Sequence, residues 1–324
     1  MIYSILLHKN GFGGIESYME SLLIELEVRK VKVEVYIHND INTSNLLSSR
    51  SKGGYLKYFL RTWGCKDCVR ILNNHIPIFL ASIFFRENKI ILLHGVPQRN
   101  FWFYYLTITL NPGMVFANSL YLSGFYEKRY GKRLGFIYPL LRKKILSQGK
   151  VSSLVIGENR MIGYLGRITV DKHIEYYVKL HNDLCDNGST STLLLQGIIT
   201  NEYKDSLLAL SSYKELIIFE DFSEDVSMFF SRVDTVLYFA NPLESYGITI
   251  AESLFFGKKV VINENQGEDF KGFRNVFVFE GKSYIVSELI DFLYKPCSQF
   301  DIEFNQILLQ KRQLESINII TKND

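Results

Sequence analysis

Proline is scarce in this chain, six residues in 324, and no low-complexity tract or solenoid-period repeat occurs. With 47% hydrophobic residues, that composition excludes a disordered or fibrous protein. It fits an ordered globular chain long enough for two domains of ordinary size. Cysteine is equally sparse. The four are Cys65, Cys68, Cys185 and Cys297, too few for a disulfide framework, and they suggest a reducing compartment. Cys65 and Cys68 form one Cys-x2-Cys with no second pair and no following His cluster, short of the four ligands a structural zinc site needs. Long apolar runs are missing too. The longest after the start, near Ile76–Phe85, contains Pro77 and falls well below the roughly 20 residues of a membrane span. Lys9 and a glycine run cut short the apolar residues 1–8, so no secretory signal is read. The expectation is a cytoplasmic chain that does not cross the membrane. Several chemistries are also excluded: there is no Walker A sequence, no Gly-x-Ser-x-Gly elbow, no His-Glu-x2-His and no Asp-x-Asp. Metal dependence is therefore not expected.

What is present is unevenly charged. The net charge of +3 divides into 17 Lys+Arg against 9 Asp+Glu over residues 1–139, and 20 against 25 over residues 140–324. Residues 50–133 hold 13 basic and 3 acidic side chains. An excess confined to one half implies an anionic partner for that half. Two stretches there mix cations with large rings: Tyr55–Trp63, with Lys57, Arg61 and Trp63, and Arg99–Tyr105, with Arg99 and Trp102. They suit ordinary core plus solvated charge. They equally suit a surface that rests on an anionic bilayer and admits a lipid-linked acceptor. No nucleic-acid module fits the order of elements, so no nucleic-acid partner is expected.

That order is α/β. Ile2–Leu7 is an apolar run ended by a Gly-rich loop, and Ile15, Met19, Leu22, Leu23 and Leu26 then recur at helical spacing. Val31–Ile37 alternates as a strand does. Further strands are expected at Val69–Leu72, Ile90–Leu93, Val115–Ala117 and Leu134–Ile137, with helices at Ile76–Phe85 and Leu120–Tyr130. Tyr138-Pro139 marks a linker. A second series follows: strands Ile162–Leu165, Leu193–Gln196, Leu216–Phe219, Thr235–Tyr238, Val260–Ile262 and Val276–Phe279. Its helices are Ile174–Leu184, Glu202–Ser211, Val226–Ser231, Tyr284–Leu293 and Phe304–Ile317. This pattern predicts two doubly wound, Rossmann-like domains, residues 1–139 and 140–324, facing across a cleft. The terminal helix is free to cross back to the first. Ligands in such sheets bind beyond the carboxyl ends of the strands.

The residues at those ends carry the chemistry. Glu244 and Glu252 are eight residues apart, with Gly247 opening a helix between them. A helix N-terminus is a seat for phosphate, so Gly247, Ile248 and Thr249 could hold a diphosphate, with one carboxylate for sugar hydroxyls and one for a ribose diol. The same carboxylates also suit a helix cap and a solvated helix face. Gly166-Arg167-x4-Lys172 places two cations at a strand mouth, where they could stabilise a departing diphosphate or simply be solvated. Gly13-Gly14-Ile15-Glu16 opens the first helix but has Glu where a dinucleotide fingerprint has its third Gly. His94-Gly95 and Asn118-Ser119 end two strands of the first half.

Taken together, these six features resemble, in order, the motifs of the retaining glycosyltransferases of family 4: the Gly-Gly loop, His-Gly, Asn-Ser, a central Pro, Gly-Arg-x4-Lys and Glu-x7-Glu. The resemblance covers most of the chain. It departs at His173, where the family usually has Gly after the Lys. It implies the GT-B fold, a first domain for the acceptor and a second for the nucleotide sugar. It further implies transfer of a sugar from a UDP- or GDP-linked donor to an acceptor hydroxyl, with retention and without a cofactor. On that resemblance Glu252 would hold the ribose and Glu244 the donor sugar. Arg167 and Lys172 would neutralise the diphosphate beside Gly13, Gly14 and Gly166, and His94 would sit near the reacting carbon. The acceptor suggested by the basic half is a saccharide, lipid-linked, as in lipopolysaccharide, O-antigen or other surface-polysaccharide assembly. The enzyme would then sit peripherally at the inner face of the plasma membrane. A GT-B nucleotide-sugar epimerase or a non-catalytic transferase partner are the other readings.

Overall fold

The computed structural model of the chain describes residues 2–10, 14–40, 46–63, 65, 67–73, 88–97, 101–142, 145–146, 160–223, 225–239, 244, 246–279 and 286–321. The helix expected at Ile76–Phe85 lies outside these residues. Two compact units emerge. The first contains Met1–Ser147, Leu243–Tyr246 and Lys311–Asp324, and the second Gln148–Pro242 and Gly247–Gln310.

The first unit is built on six parallel strands: β1 Ile2–Asn10, β2 Lys32–Asp40, β3 Cys68–Asn73, β4 Lys89–Leu93, β5 Val115–Ala117 and β6 Gly135–Phe136, in the order β2-β1-β3-β4-β5-β6. β1 is central and pairs in parallel with both β2 and β3. Its Tyr3, Ile5, Leu6 and Leu7 are all buried, as a strand covered on both faces requires. Helix Gly14–Val28 returns the chain from β1 to β2. Helices Tyr55–Thr62, Phe101–Leu110 and Leu120–Tyr130 follow, and each contributes to one core, with Tyr58, Tyr104, Ile108, Leu122 and Tyr126 packed on Leu6, Leu72, Ile91 and Leu93.

The second unit repeats the plan with β7 Met161–Leu165, β8 Thr192–Gln196, β9 Ile217–Glu220, β10 Thr235–Tyr238, β11 Lys259–Asn263 and β12 Val276–Phe279, in the order β12-β11-β10-β7-β8-β9. The chain winds outward from β7 to β9, then restarts on the other side of β7 with β10. That reversal makes the β7–β10 boundary the topological switch point, where open α/β sheets bind ligands. In the first unit the equivalent boundary lies between β1 and β3. The long helix Gln299–Thr321 ends the described chain. Its residues from Lys311 belong to the first unit, where the Tyr3 hydroxyl donates to the Ile320 carbonyl at 3.4 Å.

The loops beyond β7, β8 and β9 are zipped together. Gly166 N donates to Gln196 O at 3.0 Å, Ile168 N to Ile198 O at 3.0 Å, and Gly197 N to Glu220 O at 2.9 Å. Gly197 sits at φ +158°, and a Cβ placed on it would lie 1.7 Å from the Gly166 carbonyl oxygen. No side chain fits there. Gly197→Ala should therefore destabilise the second unit by more than about 2 kcal/mol, read as a lower urea midpoint. An unchanged midpoint would show that this close approach is not a constraint.

Candidate functional site

In the second unit, the two motifs that the sequence singles out flank the switch point. β7 and β10 pair in parallel through Thr235↔Ile162 and Val236↔Gly163. Gly166, Arg167 and Lys172 follow β7, and Gly247 follows β10. Arg167 is exposed on a backbone fixed by the loop hydrogen bonds described above. Its carbonyl also accepts from the Tyr164 hydroxyl at 2.9 Å. A single 3-10 turn, Val170–Lys172, then folds Lys172 back, and His173 closes that turn at φ +53°. Left-handed geometry at this position suits Gly best, and the His is accommodated there at a cost.

Lys172 is half-buried. Burial first, and then the positive Arg167, push its ammonium below the usual lysine range, against the opposing pull of Asp171. Asp171 in turn is held low by the Thr169 hydroxyl and by the Lys172 and Arg167 charges. The structure thus brings the two cations within electrostatic reach of each other, in surroundings that disfavour two positive charges. An anion placed between them would relieve that repulsion.

Gly247 begins helix Ile248–Phe255 from the left-handed region, φ +74° and ψ +80°. A Cβ there would come 2.8 Å from Tyr238 and 2.9 Å from Ile250. Gly247 is thus needed for both its φ and its bareness. Ile248 and Thr249 open the helix, where first-turn N–H groups have no intrahelical acceptor. Glu252 is 0% exposed, which rules out the solvated helix face: the carboxylate is a covered group on the helix flank. Tyr177 accepts from Phe239 N at 2.6 Å and stacks edge-on with Tyr164, bracing the ends of β7 and β10.

In the first unit, His94 ends β4, and its neighbour Gly95 forms an antiparallel bridge with Glu244. Glu244 therefore belongs to the first unit and Glu252 to the second, although only eight residues separate them. Asn118 braces the strand end: its N–H donates to Leu93 O at 3.0 Å and its Nδ2 to His94 O at 3.4 Å. Ser119 caps helix Leu120–Tyr130 by accepting from Leu122 N at 3.0 Å, so this motif has a structural role of its own. Burial drives the His94 imidazole down to about 3, leaving it neutral at physiological pH. Tyr18 meets it edge-on at 5.7 Å. Gly14 starts helix Gly14–Val28, while Gly13 lies outside the described residues.

Sequence reasoning passed over Asn73. This residue ends β3, with its Oδ1 2.8 Å from His94 Nε2 and its Nδ2 donating to Leu6 O at 3.1 Å. The available signal was a polar residue closing a fully buried strand.

The basic, aromatic stretches divide between core and surface, with Tyr58 and Tyr104 buried. Lys57 and Arg61 are exposed on helix Tyr55–Thr62, beside Leu56 and Leu60, each 74% exposed, and Trp63 follows at 62%. Arg99 lies outside the described residues. On helix Phe101–Leu110, Trp102, Tyr105, Leu106 and Leu110 are exposed, an apolar face at helical spacing turned to solvent. Among the described residues no three His, Cys, Asp or Glu converge as a metal site requires, and no helix is long and apolar enough to cross a membrane.

The geometry at His173 can be tested. His173→Gly should leave stability unchanged or raise it, while His173→Val should lower it by about 1 kcal/mol or more. Equal losses in both, read by urea unfolding, would contradict the left-handed turn.

No protein-family model matches the chain, and no curated protein sequence matches it. Solved structures do. HepE from Anabaena, in complex with UDP, aligns with a TM-score of 0.69 at 16% identity, over 99% of this chain and 98% of that one. A glycosyltransferase from Rickettsia africae ESF-5 aligns at 0.72 and 13% identity, over 99% and 96%. The lipopolysaccharide outer core galactosyltransferase WaaB, in its apo form, aligns at 0.67 and 13% identity, over the full length of both chains. With two six-stranded parallel sheets matched end to end, the chain has the GT-B fold of these glycosyltransferases.

Proposed function

We propose that this protein is a retaining glycosyltransferase of the family 4 type, moving a sugar from a nucleoside-diphosphate donor to an acceptor hydroxyl without a metal. One observation carries the reading. Gly166-Arg167-x4-Lys172 and the Gly247 helix, distant in sequence, stand at the ends of two paired strands on either side of the switch point. That is where an α/β sheet binds a nucleotide, and it joins a cation pair to a helix N-terminus. The UDP held by HepE, of the same fold, supports a UDP-linked donor, with GDP the alternative.

The roles follow from chemistry. The first-turn amides at Ile248 and Thr249 and the cations of Arg167 and Lys172 take the diphosphate, beside Gly166. Glu252 takes the ribose hydroxyls. Glu244 and His94 take the donor sugar. No carboxylate stands out as a covalent nucleophile, so the acceptor oxygen attacks on the face the diphosphate leaves. The bond from the anomeric carbon to the phosphate oxygen breaks, and the new bond to the acceptor oxygen forms on that face. The acceptor's proton passes to the departing phosphate oxygen. Negative charge grows on that oxygen in the transition state, and fixed cations there stabilise it most. The chain has no Asp-x-Asp to hold a metal for this task.

The acceptor is a lipid-linked saccharide of lipopolysaccharide or another surface polysaccharide. The enzyme reaches it by resting on the inner face of the plasma membrane. The apolar faces of helices Tyr55–Thr62 and Phe101–Leu110 support this, set among 13 basic and 3 acidic side chains over residues 50–133. Such a surface repels a second copy of itself and attracts anionic lipid.

Three measurements test the proposal. Arg167→Ala should lower turnover about 100-fold or more, far beyond Lys179→Ala on the exposed face of helix Glu175–Asp186; equal effects would remove Arg167 from the chemistry. Free nucleotide should appear only when acceptor is present. Sugar interconversion without acceptor would make the protein an epimerase, and no turnover with any donor would make it a non-catalytic partner. At low salt the chain should co-sediment with anionic vesicles, several-fold less after Trp102→Ser. Equal sedimentation with neutral vesicles would remove the lipid surface from the account.

A further inference from the structure

We infer that Tyr164 is a positioning residue for Arg167: its hydroxyl locks the peptide that follows Arg167, and so fixes the direction in which the guanidinium leaves the backbone. That this guanidinium meets a diphosphate rests on the glycosyltransferase reading; the lock itself does not.

Each peptide unit is rigid, so a side chain departs in the direction set by the two planes that flank its Cα. The planes around Arg167 are held in turn. Gly166 N donates to Gln196 O at 3.0 Å, which pins the Leu165–Gly166 peptide. The Gly166 carbonyl lies so close to Gly197 that a Cβ there would come 1.7 Å from its oxygen, which backs the Gly166–Arg167 peptide. The Arg167–Ile168 peptide is gripped at both edges. Its N–H donates to Ile198 O at 3.0 Å, and its carbonyl accepts from the Tyr164 hydroxyl at 2.9 Å.

Every one of these holds joins backbone to backbone except the last. A carbonyl can only accept, so the Tyr164 hydroxyl is the donor. Burial pushes that hydroxyl far above the usual tyrosine range, so it keeps its proton at neutral pH. The same oxygen sits against Gly166, where an added Cβ would lie 2.8 Å away. The Tyr164 side chain on β7 is in turn held in place. It is 4% exposed and meets Tyr177 edge-on at 5.0 Å. Tyr177 is tied to the chain leaving β10 by accepting from Phe239 N at 2.6 Å. The lock is thus built wholly within the second unit, from the two strands that flank the switch point. Arg167 itself is exposed. A fixed point of departure narrows the space its guanidinium searches, so less ordering is left to be done when an anion binds.

Tyr164→Phe removes the hydroxyl and keeps the ring, so it isolates the lock. In hydrogen exchange of the whole protein, the Ile168 amide should be protected in the native chain and exchange about tenfold faster in Tyr164→Phe. The Val260 amide, which donates to Asn275 O on the other side of the sheet, should be unchanged. An unprotected Ile168 amide in the native chain, or equal rates in the two proteins, would overturn the lock. Calorimetric titration with UDP, or with GDP where that is the base bound, reads the effect on Arg167. Tyr164→Phe should weaken binding about tenfold by itself and less than about twofold alongside Arg167→Ala, because a residue acting through another then has nothing to act on. Equal losses in both backgrounds would make Tyr164 a structural residue alone and overturn the inference, as would undiminished affinity with a loosened lock. A native chain that binds no nucleoside diphosphate would overturn the diphosphate contact and the reading it rests on, with the lock still visible in the exchange rates, so the two failures are distinguishable.

Discussion

The second unit's site depends on the parallel pairing of β7 with β10. Thr235 and Val236 lie beside Ile162 and Gly163 only because the chain, after winding out to β9, returns to the opposite side of β7. Such a reversal is where an open α/β sheet has its ligand crevice. One motif follows each of the two strand ends. The close contact of Gly197 with the Gly166 carbonyl then fixes the floor on the β7 side. On the other side Gly247 fixes where the helix begins. Neither glycine carries chemistry. They determine where Arg167 and the first helical amides point, and in a site that works by electrostatics the pointing matters most.

The first unit shows the same logic with neutral groups. Its switch point lies at β1 and β3, and the hydrogen-bond chain Leu6–Asn73–His94 starts there and runs one strand further. Cations and helix-start amides gather at the strand ends of the second unit, and a neutral ring and a bridged carboxylate segment at those of the first. The charge balance runs the other way, since the first half is the basic one. Of its cations, Lys57 and Arg61 are exposed beside bare leucines, while Arg70 and Lys89 are buried on β3 and β4.

Much of this was legible in the sequence. Strands Val115–Ala117, Thr235–Tyr238 and Val276–Phe279 and helix Leu120–Tyr130 match their expected bounds to the residue. Buried parallel strands are short apolar runs between turn residues, and Ser119 and Gly131 punctuate that helix. Helix Phe101–Leu110 escaped because Phe-Trp-Phe-Tyr-Tyr-Leu-Thr-Ile-Thr-Leu has no polar face, so the helical period has nothing to contrast with. The absence of any charge was itself the signal that its outward side would be apolar. Helix Glu264–Phe270 escaped for the opposite reason: Glu-Asn-Gln-Gly-Glu-Asp precedes its only large apolar residue. At the site, motif spacing found the residues at the strand ends, while Asn73 was invisible. A lone Asn after a strand has no spacing to read, and its role exists only once β1, β3 and β4 lie side by side. Spacing likewise could not show that Glu244 and Glu252 fall in different units, because the boundary runs between Tyr246 and Gly247.

The central claim is that the β7–β10 switch point binds a nucleoside diphosphate. The most direct measurement is thermal unfolding with UDP, GDP, ADP and CDP in turn, for the native chain and for Glu252→Ala. A nucleotide at 100 times its dissociation constant adds about 2.7 kcal/mol to the folded state, a readable rise in midpoint. The account predicts such a rise for one base, UDP first among them, and its loss in Glu252→Ala. No rise with any nucleotide, or a rise that survives removal of Glu252, would contradict it.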